Sequence, residues 1–230
     1  TQVPIIRRSM QSLLKFLLKF TKPKSILEVG TAIGFSALLM SEYAPEDCHI
    51  TTIEKYEKRI PIAKENFRKA GREDRITLLE GDATEILREL EGTYDVIFMD
   101  AAKGQYIHFL PDILRLLPPG GLLISDNVLQ DGDIIESRFA VTRRNRTIHA
   151  RMREYLYELK HHPELETVIL PVGDGVTLST KKEESTVTYM VQKLLHIQEK
   201  PKPDDVADAL AIGITGLNFI REQELRERMR

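Results

Sequence analysis

An α/β fold, with a seven-stranded and mostly parallel sheet covered by helices on both faces, is what this sequence predicts, on three observations. Short β-branched runs alternate with helical patterns from about residue 25 to residue 180. A glycine turn, Gly30 to Gly34, follows the first run and leads straight into a helix. Acidic residues then stand at the ends of the next runs, at Glu54, Asp82, Asp100 and Asp126. Composition agrees: 230 residues with 42% hydrophobic and 30% charged side chains suit a globular chain and exclude a disordered one.

The elements follow in order. Ile6, Met10, Leu13, Leu14, Leu17 and Leu18 recur at helical spacing, predicting an amphipathic helix over residues 4–20 that packs on the sheet. Lys15 and Lys19 interrupt that apolar stretch, so it is read neither as a membrane span nor as a signal peptide. Strands are expected at 25–29, 49–53, 76–79, 94–99, 122–125, 167–171 and 176–179. The charged cluster Lys181, Lys182, Glu183 and Glu184 reads as a linker, dividing the chain into 1–182 and 183–230. Beyond it, helices are expected at 186–197 and, after the Pro201–Pro203 breaker, at 204–219. The tail holds 7 basic residues against 9 acidic ones, leaving 26 against 26 before it, so the parts differ in architecture and not in charge. The net charge of −2 gives no global basic field. The single cysteine, Cys48, excludes an internal disulfide, is read as an inert core thiol and fits a reducing, cytoplasmic setting. The chain opens at Thr1 without an initiator Met, which leads to the expectation that the natural start lies upstream.

The run Glu28-Val29-Gly30-Thr31-Ala32-Ile33-Gly34-Phe35-Ser36 would present backbone N–H groups to a ligand at the strand's carboxyl end. It lacks the middle glycine of the dinucleotide G-x-G-x-x-G turn, and an acid before the glycine suits a cationic sulfonium and ammonium better than a pyrophosphate. Glu54 stands where a carboxylate accepts from ribose hydroxyls, and Gly81-Asp82-Ala83 where one could meet an adenine amino group. Asp100 and the pair Asp126-Asn127 end adjacent strands, so two carboxylates and an amide oxygen could converge as a hard donor set for Mg²⁺, Mn²⁺ or Ca²⁺. The bland alternative stays open: a helix cap at Asp100 and a turn at Asp126-Asn127.

The strand-end glycines and acids resemble those of class I S-adenosylmethionine-dependent methyltransferases, whose fold is Rossmann-like. That resemblance implies S-adenosylmethionine contacts for Glu28, Gly30, Thr31, Gly34, Ser36, Glu54, Gly81, Asp82, Ala83 and Asp100. Asp100-Ala101-Ala102-Lys103-Gly104-Gln105-Tyr106 with the downstream Asp126-Asn127 resembles, more narrowly, the divalent-metal-dependent O-methyltransferases of the catechol and caffeoyl-CoA type. Over about residues 4–180 it implies Asp100, Asp126 and Asn127 as ligands to a divalent metal, magnesium foremost, and Lys103 beside Asp100 as the candidate general base.

Between residues 138 and 153 lie six arginines and no acid, among them Arg138, Arg143, Arg144, Arg146 and Arg151. Such a strip suits an RNA backbone or stacking on splayed bases, whereas ordinary ion pairs to Glu136, Glu154 and Glu158 are the alternative. His149 within it is read as a surface or phosphate contact and is left out of the catalytic set. With Arg-Thr-Ile-His and the close Leu170-Pro171-Val172-Gly173-Asp174-Gly175-Val176, the run is most similar to the bacterial tRNA 5-hydroxyuridine methyltransferases of the TrmR type. That branch implies the anticodon loop of tRNA as partner, 5-methoxyuridine as product and a homodimer as assembly. The family usually has further helix before this sequence begins. A small-molecule acceptor of the catechol or caffeoyl-CoA kind is the first alternative.

The tail resembles the C-terminal part of RuvC-type Holliday junction resolvases, with Asp205 and Asp208 at acidic positions. Resolvase chemistry needs further carboxylates from strands the chain lacks, so the tail is expected to be catalytically dead, and the two acids are more simply the cap and first turn of a helix. A nucleic-acid or junction-processing role through the tail is the remaining alternative.

Overall fold

The structure, a computed structural model, describes residues 5–132, 134–137, 141–143, 145–183 and 195. The chain divides into two units, Thr1–Lys182 and Glu183–Arg230, and apart from Glu183 and Leu195 the described residues belong to the first. The tail helices expected at 186–197 and 204–219, Leu195 aside, lie outside the described residues, as do Asp205, Asp208, Arg138 and Arg144.

Helix α1, Arg8–Thr21, buries Met10, Leu14 and Leu18, one residue per turn. It starts at Arg8, later than expected, because Arg7 before it is extended, and it ends at Lys22 in the left-handed region before Pro23. The strands are β1 Ser25–Val29, β2 His49–Glu54, β3 Ile76–Glu80, β4 Val96–Met99, β5 Leu122–Ser125, β6 Leu165–Leu170 and β7 Val176–Lys181. Strand β4 starts two residues later than expected because Asp95 is otherwise engaged: its carboxylate accepts the Lys24 and Ser25 N–H groups at 2.7 and 3.1 Å, and Tyr94 N–H donates to Leu116 O. Strand β6 starts two residues earlier because its antiparallel pairing with β7 runs from Leu165 opposite Lys181 to Leu170 opposite Val176.

The strand order is β3-β2-β1-β4-β5-β7-β6, parallel except for β7, which is antiparallel to β5 and to β6. Alternation along the strands builds two cores. Ile26, Phe98 and Ile124 face α1, α2 (Phe35–Tyr43) and α3 (Ile60–Lys69), while Leu27, Ile97 and Leu123 face α4 (Ala83–Glu89), α5 (Tyr106–Leu116) and α6 (Arg146–His161). Because β1 pairs with β2 on one side and β4 on the other, the chain reverses direction across the sheet between β1 and β4, and a crevice opens at their carboxyl ends. Among the described residues no helix is long and apolar enough to cross a membrane.

Candidate active site

The first site-forming turn exists because β1 must release its chain close to the end of β4. Gly30 has φ +108°, and a Cβ there would collide with the Asp100 carbonyl. The Gly30 and Thr31 N–H groups both donate to Ile53 O, at 3.1 and 3.0 Å, which ties the turn to β2. Gly34, at φ +86°, opens α2 where a side chain would strike the Phe67 ring. Its requirement is packing against α3.

Behind the turn runs a buried polar chain. The Thr31 and Thr52 hydroxyls share a short hydrogen bond, and Thr52 also bonds the Glu28 carboxylate. Burial pushes the Glu28 carboxyl up to about 7; the Ser36 and Thr52 hydroxyls ease it back, and Asp100 and Glu54 raise it further. Its Oε1 completes no hydrogen bond of normal geometry. Glu54 spans two loops, its carboxylate accepting Ala32 N–H at 2.7 Å and Tyr56 N–H at 2.8 Å. Asp82 caps α4 through Thr84 N–H at 2.8 Å and pairs with Lys55 at 3.2 Å. The Thr84 contacts, and then Lys55, hold its carboxyl below the usual range.

A cavity of about 960 Å³ opens over these strand ends. Of the residues expected at the cofactor, Gly30, Thr31, Ser36, Glu54, Gly81, Asp82, Ala83 and Asp100 line it. The structure places Glu28 and Gly34 behind that wall, Glu28 fully buried, so its charge would reach a ligand only through the field it sets up.

At the other end of the cavity the ends of β4 and β5 meet. Asn127 Nδ2 donates to Asp100 Oδ1 at 3.2 Å, and Asp126 is almost completely buried just before it. Burial, then the Asp100 charge, pushes the Asp126 carboxyl up to about 6, against the opposing Asn127 N–H and Lys103. Lys103 Nζ donates to Asp100 Oδ1 at 3.1 Å, to the Tyr106 hydroxyl at 2.9 Å and to the Asp126 carbonyl at 3.2 Å. Tyr106 is fully buried, and burial with the two carboxylates raises its hydroxyl well above the ordinary value, which keeps it protonated and a donor to Met99 O. Among the described residues no three His, Cys, Asp or Glu side chains gather as a metal set; beside the Asp100 and Asp126 carboxylates stands the Asn127 amide. Two carboxylates and an amide oxygen fit a hard divalent cation, which would offset the burial and the Asp100 charge that together raise the Asp126 carboxyl.

The described arginines divide by contact. Arg143 is exposed. Arg146 Nε donates to Val141 O at 3.4 Å and Arg151 Nη1 to Gly104 O at 3.2 Å, so both are partly engaged with backbone. His149, read from sequence as a surface residue, is buried with Nε2 at 3.1 Å from Glu136 O, because the stripe His149, Met152, Tyr155 and Leu159 is the inner face of α6. Sequence reasoning missed Tyr106, although its spacing of three from Lys103 was a helical-turn signal. The Arg7–Asp174 ion pair at the cavity rim, 3.7 Å, had no such signal because its partners are distant in sequence.

Residues 3–182 match the O-methyltransferase family. The chain belongs to this family. The enzyme is 34% identical over 179 residues, 72% of this chain and 70% of the relative, to caffeoyl-CoA O-methyltransferase 2 of Populus trichocarpa. Its fold is similar to the SAH-bound methyltransferase PaMTH1 of Podospora anserina, with TM-score 0.71, 33% identity and coverage of 78% of this chain and 80% of that one. The O-methyltransferase from Bacillus cereus in complex with SAH gives TM-score 0.71 at 25% identity, covering 79% and 84%. SAH is S-adenosylhomocysteine, the demethylated form of S-adenosylmethionine, which is accordingly the methyl donor of this family.

Proposed function

We propose that this O-methyltransferase acts on one hydroxyl of a vicinal oxygen pair carried by a small phenol of the catechol or caffeoyl-CoA kind. The observation that carries the reading is the convergence of Asp100, Asn127 and Lys103 at one end of the cavity, with Asp126 buried beside Lys103 just behind its wall, while the other end holds Glu54 and Asp82. The caffeoyl-CoA-type relative supports this class of acceptor.

Gly30, Thr31, Ser36, Glu54, Asp82 and Ala83 bind and orient S-adenosylmethionine, which supplies a methyl group on a sulfonium. Asp100, Asp126 and Asn127 hold a divalent cation, Mg²⁺ foremost, which supplies Lewis acidity that lowers the pKa of the acceptor hydroxyl. Lys103, an ammonium with three hydrogen bonds, faces the acceptor oxygen and holds it as the oxyanion by turning one of them to it; to serve as the base it would first release a proton to solvent. The O–H proton passes to solvent, or to Lys103 once that is the neutral amine, the new O–CH₃ bond forms and the S–CH₃ bond breaks, releasing S-adenosylhomocysteine. Tyr106 and the buried Asp126 carbonyl fix the Lys103 ammonium and thereby the line of attack.

A second reading is 5-hydroxyuridine in the tRNA anticodon loop. Its support is exposed Arg143 beside Asn145 and Ile148, which line the cavity, together with the vicinal 5-hydroxyl and 4-carbonyl of that base. Labelled S-adenosylmethionine is offered with catechol, caffeoyl-CoA or tRNA bearing 5-hydroxyuridine, each with Mg²⁺ or EDTA. Label in a small phenol that EDTA abolishes is the expected result. Label in tRNA alone transfers the function to the second reading, and label in none of them, with the methyl donor still bound, overturns both.

A further inference from the structure

Helix α6 holds neighbouring segments by their carbonyls. Arg146, His149, Arg151 and Arg153 approach Val141 O, Glu136 O, Gly104 O and Ile134 O respectively, at 3.4, 3.1, 3.2 and 3.2 Å. Three of those carbonyls belong to the chain between β5 and α6. The fourth, Gly104, belongs to the 3₁₀ turn Lys103–Gln105, which presents Lys103 to the site from 47 residues away in sequence.

We propose that Arg151 is a positioning residue for the methyl-transfer reaction, fixing the Lys103–Gln105 turn through the Gly104 carbonyl. The turn needs such an anchor. It has three residues, no side-chain cap and no buried member, and its backbone bonds, Gln105 N–H to Ala102 O at 2.8 Å and Tyr106 N–H to Lys103 O, tie it to its ends and leave the Gly104 carbonyl between them to another partner. Glycine at 104 leaves the backbone open on the side where α6 packs: a Cβ there would have Arg151 Nη1 at 3.7 Å and Ile148 Cγ1 at 3.9 Å as its nearest neighbours. A guanidinium reaches that carbonyl from the half-buried flank of α6 and makes a charge-assisted hydrogen bond, stronger than a neutral one. Lys103 Nζ must meet Asp100, Tyr106 and Asp126 at once, so drift of the turn by a fraction of an ångström breaks that geometry. This gives one arginine of the basic run an architectural task in place of a substrate contact.

The proposal rests on the reading that Lys103 faces the acceptor, and its test separates the two. Amide hydrogen exchange at Gln105 and Tyr106, which needs no turnover, is measured in the parent, Arg151→Ala, Arg151→Lys and Arg153→Ala, alongside kcat and calorimetric S-adenosylhomocysteine binding. Arg153→Ala removes the same charge from the same helix but its carbonyl partner is Ile134. In Arg151→Ala, exchange at the turn is expected to rise about tenfold, the loss of one hydrogen bond, and kcat to fall on the order of tenfold to a hundredfold, with cofactor binding unchanged. Arg151→Lys is expected to restore most of both, and Arg153→Ala to leave turn exchange at the parent rate. Parent exchange in Arg151→Ala, or equal acceleration in Arg153→Ala, overturns the proposal. If no acceptor is methylated by the parent, the function falls while the exchange result still decides whether Arg151 holds the turn.

Discussion

The Lys103 ammonium lies 3.1 Å from Asp100 Oδ1 and donates also to the Tyr106 hydroxyl and the Asp126 carbonyl, so all three of its hydrogens have acceptors. A lysine so held has its ammonium fixed in place, and in the proposed reaction it would bring that charge to the place where the acceptor oxygen becomes anionic.

Replacing Lys103 by Met keeps an unbranched side chain, one atom shorter, and removes the charge. Turnover is expected to drop about 10²- to 10⁴-fold, with S-adenosylhomocysteine affinity close to the parent value because the cofactor end of the cavity is formed by other residues. A single-turnover assay beside a binding titration reads both, and a Lys103→Met enzyme at the parent rate removes Lys103 from the chemistry.

Divalent cations should stabilise the folded chain through Asp100, Asp126 and Asn127. At a hundredfold excess over its dissociation constant a cation adds about 2.7 kcal/mol, visible as a rise in the thermal midpoint on adding Mg²⁺ or Mn²⁺ that EDTA reverses. Asp126→Asn should abolish most of that rise. A midpoint indifferent to all divalent cations would leave the carboxylate pair without its assigned partner.

Glu28 makes stability depend on pH in a direction opposite to that of most carboxylates. Its folded value, about 7, lies above the ordinary 4.5, so the native state keeps a proton that the unfolded chain releases. The contribution is full below 4.5 and is lost as pH rises to 7, on the order of 3 kcal/mol. Urea unfolding of the cofactor-free protein at pH 5 and pH 8 should show a smaller fall for Glu28→Gln than for the parent. Asp126 acts in the same direction, so the difference between the two proteins is the quantity to read. Identical falls would place the Glu28 carboxyl back in the ordinary range.

Much of this was legible in one dimension. Strands buried on both faces need near-continuous apolar runs, as at Val96–Met99 and Leu122–Ser125, and helices covering them need apolar residues one turn apart, as at Met10, Leu14 and Leu18, so the α/β order and all seven strands could be read directly. Gly30, Glu54, Asp82, Asp100 and Asn127 could be placed at the cavity because the ends of parallel strands lie together whatever the loops do. Depth was not legible: Glu28 precedes Gly30 by only two residues yet sits behind the wall, since the chain leaves β1 at Gly30 and the turn covers the Glu28 carboxyl, which bonds Thr52 of β2. Nor were partners distant in sequence, such as Arg151 with Gly104 or Arg7 with Asp174, because an arginine's reach spans several possible acceptors and only the packing of α6 and of the β6–β7 loop selects one. The sequence by itself determined the order of the elements and the chemical groups at the strand ends. The tertiary structure decided which of those groups are buried, which charges they meet and hence how they titrate, because desolvation and Coulomb interactions depend on distances that local periodicity does not specify.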